Sequence, residues 1–539
     1  MKRKLSYIIS ALVVVGLIIS VIGINHSTAT ETTGPEQTLN LATANEPVVD
    51  PGLATDKNSV ALLANIFDGL TRPTIEGEVE AGIAESWEVS EDNLTYTFYL
   101  RESNWNDGTP LTAADFEYSW KRVLNPETGS PGAAELFIIQ GAEAYSQGEG
   151  SADDVQVKAL DDYTLEVTLT EPKPQFLELT GRLPELYPVP QEVVNENIDW
   201  ATDAGELFLN NGPFMLTEWV HQSDYVLSKN PNYWDSENVQ LETINVQVVE
   251  SMATANTMYL NGDINYLGMP FHTISPEMID VHKGSGDLKV SDMAAFYNYA
   301  MNVTDEHLSN VNIRKALALA VDRQSLIDNV TKAGQTPALR IVGPTATNST
   351  QEVAYFEDAD FDKAREYLAI GLDELDLNDA SELKLSMSTN VSEEHSAVAQ
   401  FIQAGWKEEL GIEVTIETTD FQVHLADMSQ LNYQLGRRGE GYEYSDISSF
   451  LEQYYSTDNG RNQTGWEDED YQGLVEAARS EQDSVKREEL LLEAEAIFMD
   501  AMPVVPLYFY TNAYVVNDDV HNMEMDTIGV IQFKYVYVE

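Results

Sequence analysis

The stretch from Gly436 to Leu451, GRRGEGYEYSDISSFL, sets a cation and an anion at a spacing that suits both ends of a small extended ligand. Arg437 and Glu443 are six residues apart, so in an extended strand they point to the same face. At about 3.3 Å per residue they would stand about 20 Å apart, comparable to an extended peptide of a few residues. Arg437 would take an α-carboxylate by a bidentate contact, and Glu443 an α-ammonium. Gly439, Glu440, Gly441 and Tyr442 lie between them, and their backbone would pair with a peptide main chain as an added strand. On spacing alone, two surface charges on an edge strand are an alternative that stays open.

Catalytic chemistry finds no footing. The chain contains no G-x-S-x-G elbow, no H-E-x-x-H pair, no Walker A loop and no dinucleotide-binding glycine fingerprint. Its eight histidines show no metal-ligand spacing. Asp458-Asn459-Gly460 and Asp305-Glu306-His307 offer the oxygens that calcium takes, but acidic loops are common in so acidic a chain. With no cysteine, disulfides, thiol nucleophiles and thiolate metal sites are excluded. Neither a cofactor nor an enzymatic activity is expected.

The formal net charge is −60, from 90 acidic and 30 basic residues. It argues against binding nucleic acid or anionic lipid, whose phosphates need clustered Lys and Arg. It suits solubility in a salty or alkaline medium, where screening shortens self-repulsion. A hydrophobic fraction of 43% over 539 residues belongs to a globular chain too long for one core. Lys2, Arg3 and Lys4 precede an apolar run from Leu5 to Ile24, which reads as an export signal or a retained anchor. Ser27-Thr28-Ala29 offers a cleavage site.

The elements around the charged stretch come from periodicity and punctuation. Thr38–Thr43 reads as a strand, Tyr163–Leu169 and Leu241–Glu250 as others, and Met252–Leu260 as a helix stopped by Asn261-Gly262. Val311–Val330 reads as one amphipathic helix with Ile313, Leu317, Val321 and Ile327 on a face. His395–Leu410 is a helix stopped at Gly411, followed by a strand at Ile412–Glu417; PVVPLYFY is a late strand. From Ala84 to Pro131 an alternating strand (Tyr96, Phe98 and Leu100 on one face) meets an Asp-Gly-Thr-Pro corner. A helix capped by Thr112 then carries Phe116, Tyr118 and Trp120.

That unit, together with NGPFMLTEWVHQSDYVLSKNPNYW and VNIRKALALAVDRQSLI, closely resembles the peptide-binding branch of the family 5 extracytoplasmic solute-binding proteins that serve ABC importers. The resemblance runs from about Thr38 to the C-terminus. It implies an α/β fold: a two-lobed periplasmic-binding-protein-like clamp (type II, cluster C) with an extra inserted domain. Residues 1–29 would be the signal or anchor and 30–37 a linker. Residues 38–75, 196–295 and 507–539 would form lobe I, 76–195 the inserted domain II, and 296–506 lobe III.

The resemblance also bears on the site. The family's peptide-binding strand has Arg, then Asp six residues on, ahead of Ser-Phe-Leu, and Arg437, Glu443 and Ser449-Phe450-Leu451 fit that register. Glu440 stands where a tryptophan is usual. His395 falls where relatives place a histidine that helps hold the C-termini of longer peptides, and Tyr266 at a pocket-lining aromatic position. Met428 stands near the place of a second arginine. The implied function is capture of short oligopeptides between two lobes and delivery to the membrane subunits of an ABC permease, by an extracytoplasmic monomer. Another cargo (dipeptide, cell-wall peptide, metal chelate or oligosaccharide), or a surface receptor uncoupled from transport, is the alternative.

Overall fold

A computed structural model describes residues 36–54, 56–74, 78–346, 353–442, 444, 446–457 and 459–539, without the side chains of 276 and 277. The apolar run at Leu5–Ile24 lies outside the described residues. Among those described, no helix is long and apolar enough to cross a membrane.

Three sheets carry the chain. In the first, Thr38–Thr43 pairs in parallel with Thr243–Val248, which continues antiparallel to Asp224–Lys229 and Phe214–Val220. A second sheet, antiparallel throughout, orders Ala84–Val89, Thr95–Leu100, Thr164–Thr168 and Val157–Asp161. Tyr96, Phe98 and Leu100 turn inward from it, as the period-2 alternation requires. The helix Ala113–Leu124 lays Phe116 and Trp120 onto this face, and the Trp120 indole donates to the Leu186 carbonyl at 2.9 Å. The two sheets do not keep separate interiors: their inward faces merge into one contiguous core.

The third sheet orders Tyr266–Leu267, Val504–Val516, Lys289–Met301, Leu435–Gly441, Leu385–Asn390 and Val414–Thr419, with Thr336–Pro337 alongside Val504–Val516. Its interior is a second large core. Lys289–Met301 and Val504–Val516 are 13 residues each and would span about 40 Å, enough to run from one core into the other. Met293, Ala295, Tyr514 and Val516 pack in the first core, Phe296, Tyr299, Leu507 and Phe509 in the second, and Tyr510 touches both. The register between the two strands slips between Asp292 and Phe296, at the crossing itself.

Two expected elements differ. Val311–Val330 is not one helix: it runs Val311–Leu319 and restarts at Arg323–Leu326. Asp322 causes the restart, accepting the Ser325 N–H at 2.9 Å as an N-cap. Arg323, completely buried, turns back to donate to the carbonyls of Ala318, Val321 and Pro506 and pairs with Asp358 at 3.0 Å. The second difference is that His395 does not open its helix, which is Glu393–Leu410 with Ser392 as the cap.

Candidate functional site

The strand Leu435–Gly441 owes its position to its neighbours. Along one edge it pairs with Lys289–Met301 over its whole length, from Leu435 opposite Met301 to Gly441 opposite Ala295. Along the other it pairs with Leu385–Asn390 only at Leu435 and Gly436, after which the strands part. From Arg437 onward the outer edge carries no strand partner among the described residues. It opens onto a cavity of about 250 Å³ between the helix Phe421–Ser429 and the loop around Arg461.

The two adjacent arginines face opposite ways. The Arg437 guanidinium lies over the Tyr297 ring, 5.0 Å from its centroid. It reaches Asn390 Oδ1 and the Tyr510 hydroxyl only at 3.5 Å, and its Nε is buried without an acceptor. Among the described residues no carboxylate stands within ion-pair distance of it. The Tyr508 ring lies tilted against Tyr297 at 4.9 Å, so the cation sits half-buried in an aromatic wall built by the two crossing strands. Arg438 is the reverse case. It pairs with Glu440 at 3.1 Å and donates to Gln453, the Tyr454 hydroxyl and the Arg461 carbonyl. Glu440 accepts further from Asn298 at 2.8 Å and from the Tyr442 and Tyr454 hydroxyls.

Glu440 and Tyr442 therefore share the inward face with Arg438, and Tyr442 packs on Phe450 with ring centroids 4.1 Å apart. Gly439 and Gly441 are exposed on the face of Arg437. A Cβ at Gly439 would stand 2.8 Å from both Arg437 Nη2 and the Tyr510 oxygen, whereas one at Gly441 would meet nothing. The strand ends at Gly441, and Glu443 lies outside the described residues. His395 approaches the same wall: its Nδ1 is 3.3 Å from the Tyr297 hydroxyl. Burial, then the charge of Arg437 and the neighbouring His424 imidazole, push its pKa down to about 4, so at neutral pH it is uncharged.

Tyr266 is elsewhere. It is 2% exposed in the first core, stacked on Tyr514, with its hydroxyl donating to the Met269 carbonyl at 2.5 Å. Met428 is buried beneath Gly436, where a Cβ would collide with its sulfur. Asp305 accepts from the His307 and Leu308 N–H groups and from Gln434, a turn fully occupied by its own chain; Asp458 lies outside the described residues. No cluster of three potential metal ligands occurs among the described residues.

Past Tyr442, Gln453 and Arg461 the groove continues into a space of about 410 Å³ faced by Phe137, Ile138 and Leu179 of the other body. Polar side chains bridge the bodies at its rim, Glu171 pairing with Arg479 at 3.8 Å. Lys173 reaches Glu452 and the Tyr444 hydroxyl at 3.0 Å each, and Gln175 reaches Asp446 and Ser448.

Two bodies joined by a pair of long strands, with a charged groove along a strand edge where they meet, make a ligand-binding clamp of the periplasmic-binding-protein-like class. The chain belongs to the bacterial extracellular solute-binding proteins of family 5: residues 78–462 match the model described as "Bacterial extracellular solute-binding proteins, family 5 Middle". Over 504 residues it is 39% identical to the oligopeptide-binding protein OppA of Bacillus subtilis, covering 93% of this chain and 92% of that protein. The unliganded open form of the murein tripeptide-binding protein MppA superposes with a TM-score of 0.84 at 26% identity, over 94% of this chain and 98% of that one. Peptide-bound OppA of Listeria monocytogenes gives 0.69 at 28% identity, over 94% and 99%.

Proposed function

We propose that this protein is the peptide receptor of an ABC importer, working outside the cytoplasmic membrane by binding alone. One observation carries the reading: a half-buried guanidinium, held by aromatic rings and without a carboxylate partner among the described residues, stands at the start of an unpaired strand edge. A desolvated Arg without an anion is costly, and a ligand carboxylate removes that cost. The main chain of an extended peptide pairs with the outer edge at Gly439 and Gly441, which gives affinity with little demand on side-chain identity. Glu443 is the proposed acceptor of the ligand's ammonium group, with His395 beside the carboxylate end.

In this reading 38–75, 196–295 and 507–539 act as lobe I, fused to the inserted residues 76–195, and close against 296–506 about the crossing strands. The greater likeness to an open form than to a peptide-bound one supports an open starting state. Bound peptide then shifts the population to the closed form that the permease recognises. Residues 1–29 are the proposed export signal or anchor, and the receptor acts as a monomer.

Native mass spectrometry of gently purified protein, with sequencing of whatever denaturation releases, tests this. A heterogeneous set of short peptides is the expected result. One homogeneous non-peptide species would keep the clamp and overturn the cargo.

A further inference from the structure

His424 has a place in the fold that binding a ligand does not explain. It is 1% exposed on the helix Phe421–Ser429 and bridges two strands where their ladder ends. Its Nε2 lies 2.9 Å from the Arg437 carbonyl, and its Nδ1 lies 3.1 Å from Ser388 Oγ. A carbonyl only accepts, so Nε2–H donates and Nδ1 accepts the serine proton, which fixes one neutral tautomer. Ser388 is opposite Gly436 in the last pair of the ladder with Leu385–Asn390.

The edge on which each peptide unit lies follows from its neighbours. The Gln434 carbonyl accepts from Asn302, and the Tyr442 N–H donates to Ala294, so the even-numbered residues face the inner strand. N–H and C=O of one residue share an edge and alternate along a strand, so Arg437, Gly439 and Gly441 face outward. The first of these outward carbonyls is already occupied by His424, and the imidazole fills the slot into which a further strand residue would run.

We propose that His424 is a positioning residue that sets the ligand's register: it closes the strand edge at Arg437, so that main-chain pairing begins at Gly439 and the ligand must end there with a free carboxylate. The guanidinium is already drawn back over Gly439, where a Cβ would stand 2.8 Å from Nη2, at the point where such a chain would end. Selection for a carboxyl terminus over a continuing chain thus comes from a blocked edge as well as from a charge. This rests on the peptide-receptor reading above.

The test compares, by calorimetry, a free-acid tetrapeptide with the same sequence extended by two residues and amidated. The proteins are the wild type, His424→Asn and His424→Gln. Asn keeps the bond to Ser388 but is too short for the Arg437 carbonyl; Gln reaches both. The expected result is a preference for the free acid that falls at least tenfold in His424→Asn and is restored in His424→Gln. An unchanged preference in a folded His424→Asn overturns the register role and leaves the receptor reading standing, whereas a wild type that takes up neither peptide overturns that reading. Hydrogen exchange on the wild type is independent of how the variants fold. Peptide should protect the Gly439 and Gly441 amides and leave the Arg437 amide as it was; new protection at Arg437 sinks the proposal.

Discussion

Arg437 and Arg438 are chemically identical neighbours with opposite surroundings, and the difference separates what holds the protein together from what leaves it ready to bind. Arg438 is buried against Glu440, three neutral hydrogen-bonding groups and a ring, a network closed within the chain. Arg437 has rings, two long contacts and an unsatisfied Nε. One residue of strand pleat turns the first guanidinium to the groove and the second to the core. Among the described residues Arg314 is also buried without an ion pair, but backbone carbonyls take up its N–H groups; Arg437 has no such substitutes, and that calls for a ligand.

The comparison breaks most sharply on stability. Arg438→Ala leaves the Glu440 carboxylate buried without its ion-pair partner, which should cost about 3–5 kcal/mol of unfolding free energy in urea titration. Arg438→Met with Glu440→Leu should recover most of that, because removing both charges removes the desolvation cost along with the attraction. Arg437→Ala should instead change stability by less than about 1 kcal/mol while weakening peptide binding by about 2–5 kcal/mol in calorimetry. Two arginine variants equally destabilised, or equally able to bind, would abolish the distinction.

Part of this division was legible in the sequence. Arg437, Gly439 and Gly441 stand out by type and spacing; read as sequence, Glu440 and Tyr442 are set among the peptide-binding residues with them, whereas the pleat turns both to the inward face beside Arg438. Tyr297, Tyr508 and Tyr510 recur two apart in FYNY and YFY, yet such runs look alike whether they build a core or a binding wall. Only the pairing of two strands 200 residues apart brings them under Arg437. His424 left no signal, since its bond crosses from a helix to a carbonyl and no spacing rule joins them. The merging of two sheets into one core was equally hidden, because an inward apolar face does not state which face it meets. Asp322 was visible as a capping type but lost inside an apolar period that runs on past it.

A smaller effect lies in protons. The folded protein holds His395 near pKa 4 by burial and by Arg437 and His424, against about 6.5 when unfolded. Glu394 and the hydroxyls of Tyr297, Tyr299, Tyr508 and Tyr510 are the other titratable groups that face Arg437 and His395. Between those values the unfolded chain binds the proton that the folded one refuses. This contribution is therefore intact above about pH 6.5 and is lost as pH falls toward 4. A ligand carboxylate on Arg437 reverses the local field and raises the His395 pKa, so binding at pH 5 should take up protons and binding at pH 8 should not. Calorimetry in buffers of different ionisation enthalpy measures this, and His395→Gln should remove it. Uptake that persists in His395→Gln would place the titrating group elsewhere.

The smallest effect distinguishes two glycines on one edge. A methyl at Gly439 would press on Arg437 Nη2 and the Tyr510 oxygen, both at 2.8 Å, while a methyl at Gly441 has open space. Because the guanidinium is the end of a long side chain it can shift, and Gly439→Ala should cost about 1 kcal/mol of peptide affinity. Gly441→Ala should stay within about 0.5 kcal/mol of wild type. The pair separates two sources of affinity. If the carboxylate contact dominates, only the Gly439 variant weakens binding, because only there is the cation displaced. If main-chain pairing dominates, neither variant weakens binding by much, since a Cβ leaves the strand perpendicular to the sheet and clears the edge along which the ligand strand would lie.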